Sequence, residues 1–175
     1  MISKIFLLFA VVIAGILLFA TTRPDSILIR HSIVINAKPE KVFPLLNDFH
    51  NWPLWASQDK DDTTMRRTYS GPAAGAGAIS DWTSKGDAGS GEMTITASLP
   101  TRIHVKVDFV KPFRVRNSHE ITVEPVVGGG TRVTWTANVQ NLYMMKVMSV
   151  FMNMQSRMDQ HFQDSLDNLK EVAER

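Results

Sequence analysis

The stretch Pro125-Val126-Val127-Gly128-Gly129-Gly130-Thr131-Arg132-Val133-Thr134-Trp135 runs into one helical pattern reaching from about Tyr143 to Glu174. A glycine-rich hairpin, a final strand and a terminal helix, in that order, imply a curved antiparallel sheet gripping a helix. Such an arrangement leaves space between sheet and helix. What fills that space is the first functional question the chain poses.

The rest of the chain supplies the sheet. Ile27, Ile29, His31, Ile33 and Ile35 alternate with Leu28, Arg30, Ser32, Val34 and Asn36, a period-two strand that ends at Ala37-Lys38-Pro39-Glu40. Pro39 suits the first turn of a helix carrying Val42, Phe43 and Leu46, and Asn51-Trp52-Pro53-Leu54-Trp55 begins a second short turn. Six further strands follow between Gly, Pro or Asp breaks: Thr64 to Ser70, Ala76 to Ser84, Glu92 to Ala97, Arg102 to Phe109, Arg114 to Glu124 and Thr131 to Val139. No repeat or change of composition divides this region.

Ile5 to Ala20 contains no polar side chain before Arg23 and Pro24 stop the run. With Thr21 and Thr22, about 18 residues rise about 27 Å, enough for a bilayer core. Lys4 before an apolar run is also the pattern of a cleaved secretory signal. Cleavage after Ala20 puts Leu18 where a small residue is wanted, which favours an uncleaved anchor. The division expected is a transmembrane anchor (or signal) over residues 1–23 and one domain over residues 24–175. Lys4 and the terminal amine stay on the cytoplasmic side, so the domain is extracytoplasmic.

Composition removes several function classes. A net charge of +2, from 19 basic and 17 acidic side chains, is too balanced for nucleic-acid binding. With no cysteine there is no disulfide, no thiolate nucleophile and no Cys-held metal, and the five histidines form no His-x-x-x-His pair. No metal and no cofactor are expected. Asp59, Lys60, Asp61 and Asp62 read as a solvated loop, because no glycine or closing glutamate makes them a calcium loop. Gly71, Gly75 and Gly77 precede a strand rather than a helix, so they read as turns and not as a phosphate cradle.

Several motifs together resemble the START-like SRPBCC superfamily. They are Ile33-Val34-Ile35-Asn36-Ala37-Lys38-Pro39-Glu40-Lys41-Val42-Phe43; Asn51-Trp52-Pro53-Leu54-Trp55; Tyr69-Ser70-Gly71-Pro72 with Gly75, Gly77 and Trp82; Gly91-Glu92-Met93; Thr131 to Trp135; Phe151-Met152-Asn153-Met154; and Asn168-Leu169-Lys170. They cover roughly Ile27 to Glu174 and resemble the polyketide cyclase/dehydrase-like, lipid transport-like branch, many of whose members carry an N-terminal membrane segment. The resemblance implies an α+β helix-grip fold: a seven-stranded curved antiparallel sheet around a long C-terminal helix, two short helices after the first strand, and a hydrophobic ligand cavity. Members share the cavity without sharing a reaction, so the fold alone names no chemistry.

The residues indicate what such a cavity holds. Ile103, Val105, Val107 and Phe109 share one face of their strand, and Val133, Trp135, Ala137 and Val139 one face of the last; Met93 and Ile95 do the same on the fourth. Val147, Phe151, Met154, Met158, Phe162, Leu166, Leu169 and Ala173 recur at helical spacing. Thioethers between Met144 and Met158 suit either core filling or a variable ligand surface. The expected ligand-binding set is Trp82, Met93, Ile95, Val105, Val107, Phe109, Asn117, His119, Trp135, Phe151, Met154 and Met158. An acyl chain, sterol or aromatic ring would suit these walls.

Polar residues in register with apolar faces are the informative exceptions, since a buried polar group must find a partner or serve a ligand. His31 shares the face of Ile29 and Ile33; Asn117 and His119 share that of Ile121 and Val123. A histidine can orient a hydroxyl or act as general base, and an amide can stabilise an enolate oxygen. Trp52 and Trp55 fit packing of the short helices, the cavity mouth or the membrane surface. Three functions remain open: membrane-anchored, non-catalytic binding of a hydrophobic small molecule or lipid; an aromatase/cyclase-type enzyme using His31, Asn117 or His119; and a tethered interaction module whose cavity is closed by side chains.

Overall fold

The computed structural model describes residues 2–175. An apolar helix α1 (Ile2–Thr21) is followed by β1 (Ser26–Ile35), α2 (Pro39–Asn47), a 3-10 turn (Phe49–Leu54), α3 (Ser57–Asp61) and strands β2 (Arg66–Ser70), β3 (Ile79–Thr83), β4 (Ser90–Leu99), β5 (Arg102–Lys111), β6 (Val115–Pro125) and β7 (Thr131–Gln140). Helices α4 (Tyr143–Met148) and α5 (Met154–Glu174) complete the chain. The strands form one antiparallel sheet in the order β1-β7-β6-β5-β4-β3-β2. This is the helix-grip architecture expected from the sequence. The run expected to span a membrane or act as a signal is a helix, and Lys4–Thr21 is long and apolar enough for either.

Curvature has local causes. Register shifts interrupt the β4–β5 ladder between Ser90 and Gly91 and between Ile95 and Ala97, and an extra residue bends its strand. Gly91 also admits a ring: a Cβ there would overlap both the Trp82 indole and the Asp108 carbonyl. The absence of a side chain thus lets the Trp82 indole approach β4 closely, and it meets Phe109 edge-on at 5.1 Å.

The core lies between the concave face and α5. Ile95, Ile103, Val105, Ile121, Val123 and Val133 are buried with Leu166, Leu169 and Ala173, the alternate residues read as inward-facing. Trp52 and Trp55 are buried as well. Their indoles donate to the carbonyls of Leu46 and Leu45 at 3.0 and 2.9 Å, and their rings meet Trp135 at 5.8 and 5.7 Å. Packing of the short helices on the sheet is therefore their structural role, and neither ring lies on the surface.

Two expectations fail. The single terminal helix is broken: Ser149 Oγ donates back to the Lys146 carbonyl at 2.7 Å, and Asn153 Oδ1 accepts from the Ser156 amide at 3.3 Å. These bonds end α4 and cap α5, and hydrophobic spacing carries no information about either. Asp59 to Asp61 of the expected solvated loop lie instead in the short helix α3, where Lys60 and Asp61 are exposed as expected but Asp59 is not. Asp59 is buried against Arg67, with Nε–Oδ1 and Nη2–Oδ2 distances of 2.5 and 2.7 Å.

The candidate ligand cavity

A cavity of about 180 Å³ opens where the N-terminal half of α5 stands off the sheet. The C-terminal half seals its stretch of sheet with Leu166, Leu169 and Ala173, while Met158, His161, Phe162 and Ser165 border open volume. Strands β3 to β7 contribute Trp82, Met93, Val107, Phe109, Asn117, His119, Trp135 and Val139; β2 and the short helices contribute Arg67, Trp52, Ala56, Ser57, Gln58 and Asp59. An engineered apolar cavity of about 150 Å³ accommodates benzene, so this volume suits a ring system or short chain rather than a whole diacyl lipid or sterol.

The structure brings together Trp82, Met93, Val107, Phe109, Asn117, His119, Trp135 and Met158 from the expected set. It does not bring the others. Ile95 and Val105 face the same side but are covered as part of the solid core. Phe151 is 72% exposed in the turn between α4 and α5, and the helix break that put it there removes it from the cavity stripe. Met154 lines a separate cleft. His31 lies on the helix-facing side of β1 but outside the cavity, with Nε2 3.3 Å from Asp159 Oδ1 on α5 and its ring stacked toward Phe162 at 6.4 Å.

Asn117 and His119 occupy alternate positions on β6, opposite Val107 and Val105. Asn117 Oδ1 accepts from the Gln140 backbone amide at 3.0 Å, which fixes the amide with Nδ2 as its free end. His119 Nδ1 lies 3.2 Å from Trp135 Nε1. An indole nitrogen only donates, so Nδ1 must accept and the neutral ring carries its proton on Nε2. Among the described residues neither Nδ2 of Asn117 nor Nε2 of His119 has a protein partner, and no fully buried polar atom is left unpaired. Both donors therefore present their accessible surface to the cavity.

Burial pushes the His119 imidazole down to about 4 from an ordinary value of 6.5. The partly exposed ring borders the cavity. The unfolded chain binds a proton at pH 6.5 that the folded chain refuses until about pH 4, so stability is full above 6.5 and declines as pH falls through this window. The full shift corresponds to about 3 kcal/mol; because the ring is partly exposed we expect a loss of about 2 kcal/mol across the window, read by urea unfolding at several pH values. His119→Phe should flatten that slope.

The polar wall opposite is internally satisfied. Arg67 pairs with Asp59 and donates from Nη1 to Ser80 Oγ at 3.1 Å; Ser57 Oγ, His161 and Ser165 Oγ form a second network, with Ser165 donating to the His161 carbonyl at 2.7 Å. Sequence reading missed these residues. Arg67 was accessible to it, because Arg67 alternates with Met65, just before β2, and Tyr69, both of which pack on the core. Asp59 was not, because only α3 places it across from that strand. Among the described residues no three His, Asp or Glu side chains are close enough to share a metal ion.

The sequence over residues 26–174 matches the family model for polyketide cyclase/dehydrase and lipid transport proteins. The chain belongs to this family. Solved structures share its fold. Protein CV1439 from Chromobacterium violaceum aligns with a TM-score of 0.60 at 16% identity, covering 87% of this chain and 99% of that one. Hypothetical protein jhp0584 from Helicobacter pylori aligns at 0.64 and 12%, covering 84% and 88%, and protein TTHA0849 from Thermus thermophilus at 0.60 and 19%, covering 84% and 97%. At these identities the likeness is one of fold. No curated protein matches the sequence. Family and fold together indicate a domain that binds hydrophobic ligands.

Proposed function

We propose that the protein is a membrane-anchored receptor or carrier for a small, neutral, largely apolar molecule bearing an oxygen acceptor, held without covalent chemistry on the extracytoplasmic side. One observation carries this reading: two donors without a protein partner among the described residues, Asn117 Nδ2 and His119 Nε2, beside the apolar wall of a cavity of about 180 Å³. Arg67 is matched by Asp59 and His119 is neutral at physiological pH, so neither offers the site an unpaired charge. A carbonyl, phenol or ester would satisfy the donors, while a carboxylate would enter without a compensating cation. Helix α1 supports residues 1–23 as the anchor, with 24–175 as the binding domain.

The cyclase-type alternative is favoured by the same donor pair, which could stabilise an enolate oxygen. It lacks a base. His31 lies outside the cavity beside Asp159, and His119 Nδ1 is already occupied by the Trp135 indole. The closed-module alternative is opposed by the void beside Met93, Val107 and Trp135.

Titration of the full chain with a brominated naphthol, followed by quenching of tryptophan fluorescence, tests the reading. Saturable quenching is expected in the wild type, and His119→Phe should weaken binding about tenfold by removing one donor while keeping a ring. Absence of quenching, together with no small molecule in native mass spectra of gently purified protein, would reject it. Turnover of a polyketide-like chain unaffected by that substitution would leave His119 without a catalytic part.

A further inference from the structure

Helix α4 and the turn that follows it carry apolar side chains that nothing in the domain covers. Tyr143, Met144, Val150, Phe151 and Met152 are 46, 55, 38, 72 and 42% exposed, an unusual concentration for so short a segment. Their position relative to α1 indicates what meets them. Tyr143 donates its hydroxyl to the Leu17 carbonyl, one turn before the end of α1, at 3.0 Å. Ala20 is fully buried at this junction, and the buried Lys146 ammonium pairs with Asp25 just past the anchor at 2.5 Å. Asn141 adds two bonds, its side chain donating to the Pro24 carbonyl and its amide to the Asp25 carbonyl. Helix α4 is thereby fixed to the last turn of the apolar run.

From this geometry we infer that α4 and the turn through Met152 form a second membrane contact, lying in the interfacial layer of the bilayer that α1 spans. The inference rests on the anchored reading of α1. Tyrosine is enriched at membrane surfaces, and because the Leu17 carbonyl satisfies this hydroxyl the ring can lie among apolar chains without an unpaired polar group. Arg23, which makes no ion pair among the described residues, adds a cation at headgroup level. The contact also orients the cavity. A second cleft of about 190 Å³ lies between Arg23, Ile27, Met145 and Met152, and it shares Val139 and Met158 with the ligand cavity. Val139 and Met158 are thus the side chains between the cleft and the ligand site.

The chain has no cysteine, so single probes can be placed without background. Met144→Cys and Phe151→Cys, at exposed positions, are labelled with an environment-sensitive dye in the full chain, one copy per phosphatidylcholine/phosphatidylglycerol nanodisc. Phe9→Cys in the anchor and Val127→Cys at the tip of the β6–β7 hairpin are the references. The contact predicts blue-shifted emission at positions 144 and 151 and iodide quenching about fivefold weaker than at 127, as for an apolar face set some ångströms below the headgroups. Aqueous spectra at 144 and 151 with a lipid-embedded probe at position 9 would overturn the contact and leave the anchor standing. An aqueous probe at position 9 would overturn both. Shielding at 151 that appears only when two copies share a disc would replace the bilayer by a second copy and overturn the inference.

Discussion

Arg67→Met should cost about 3 kcal/mol of folding stability, the loss expected when one partner of a buried ion pair is removed. The Arg67 and Asp59 side chains are only 9 and 5% exposed, so methionine keeps the packing of the side chain while leaving a carboxylate without its cation. The Ser80 hydroxyl loses a donor at the same time. Water in the adjacent cavity can hydrate the stranded carboxylate partly, which sets the expectation at the lower end of the usual range. Asp59→Asn added to Arg67→Met should recover most of the loss, because a neutral amide tolerates the site. Urea unfolding of the two variants decides the matter, and equal stability of the single and double substitutions would mean that the pair is not buried as described.

Trp135→Ala should be more severe, about 3 to 5 kcal/mol, and should change the ligand site as well as the core. Trp135 meets Trp52, Trp55 and Phe162 at 5.8, 5.7 and 4.7 Å, so its loss opens a cavity bounded by the short helices, the sheet and α5. Its indole also determines which His119 nitrogen carries the proton. Without that donor the imidazole is free to switch tautomer, and the Nε2 donor is no longer guaranteed to a ligand. Thermal unfolding measures the first effect and naphthol binding the second. Trp135→Phe separates them, since it keeps most of the ring volume and removes the N–H. Unchanged naphthol affinity in Trp135→Phe would show that the indole does not govern His119.

Elements whose residues repeat with a fixed period were legible from the sequence. Val105 and Val107 face inward because side chains alternate across a strand, and Leu166 and Leu169 because apolar residues recur along a helix. Asn117 and His119 stood out by the same logic, as polar residues in apolar register, and both do border the cavity. His31 passed that test and still lies outside, because α5 brings Asp159 over it. Phe151 kept helical spacing across a boundary set by Ser149 and Asn153, whose side-chain bonds to the backbone have no period.

The sequence by itself determined the architecture, the apolar leading helix and the face each strand buries, because those follow from local periodicity and turn chemistry. Only the tertiary structure decided the site. The Arg67–Asp59 pair, the Trp135 indole on His119 and the seating of α4 on the end of α1 each join residues from separate elements. Such contacts depend on how far a helix stands from a sheet, a distance set by the packing of the whole core and by no short stretch of chain.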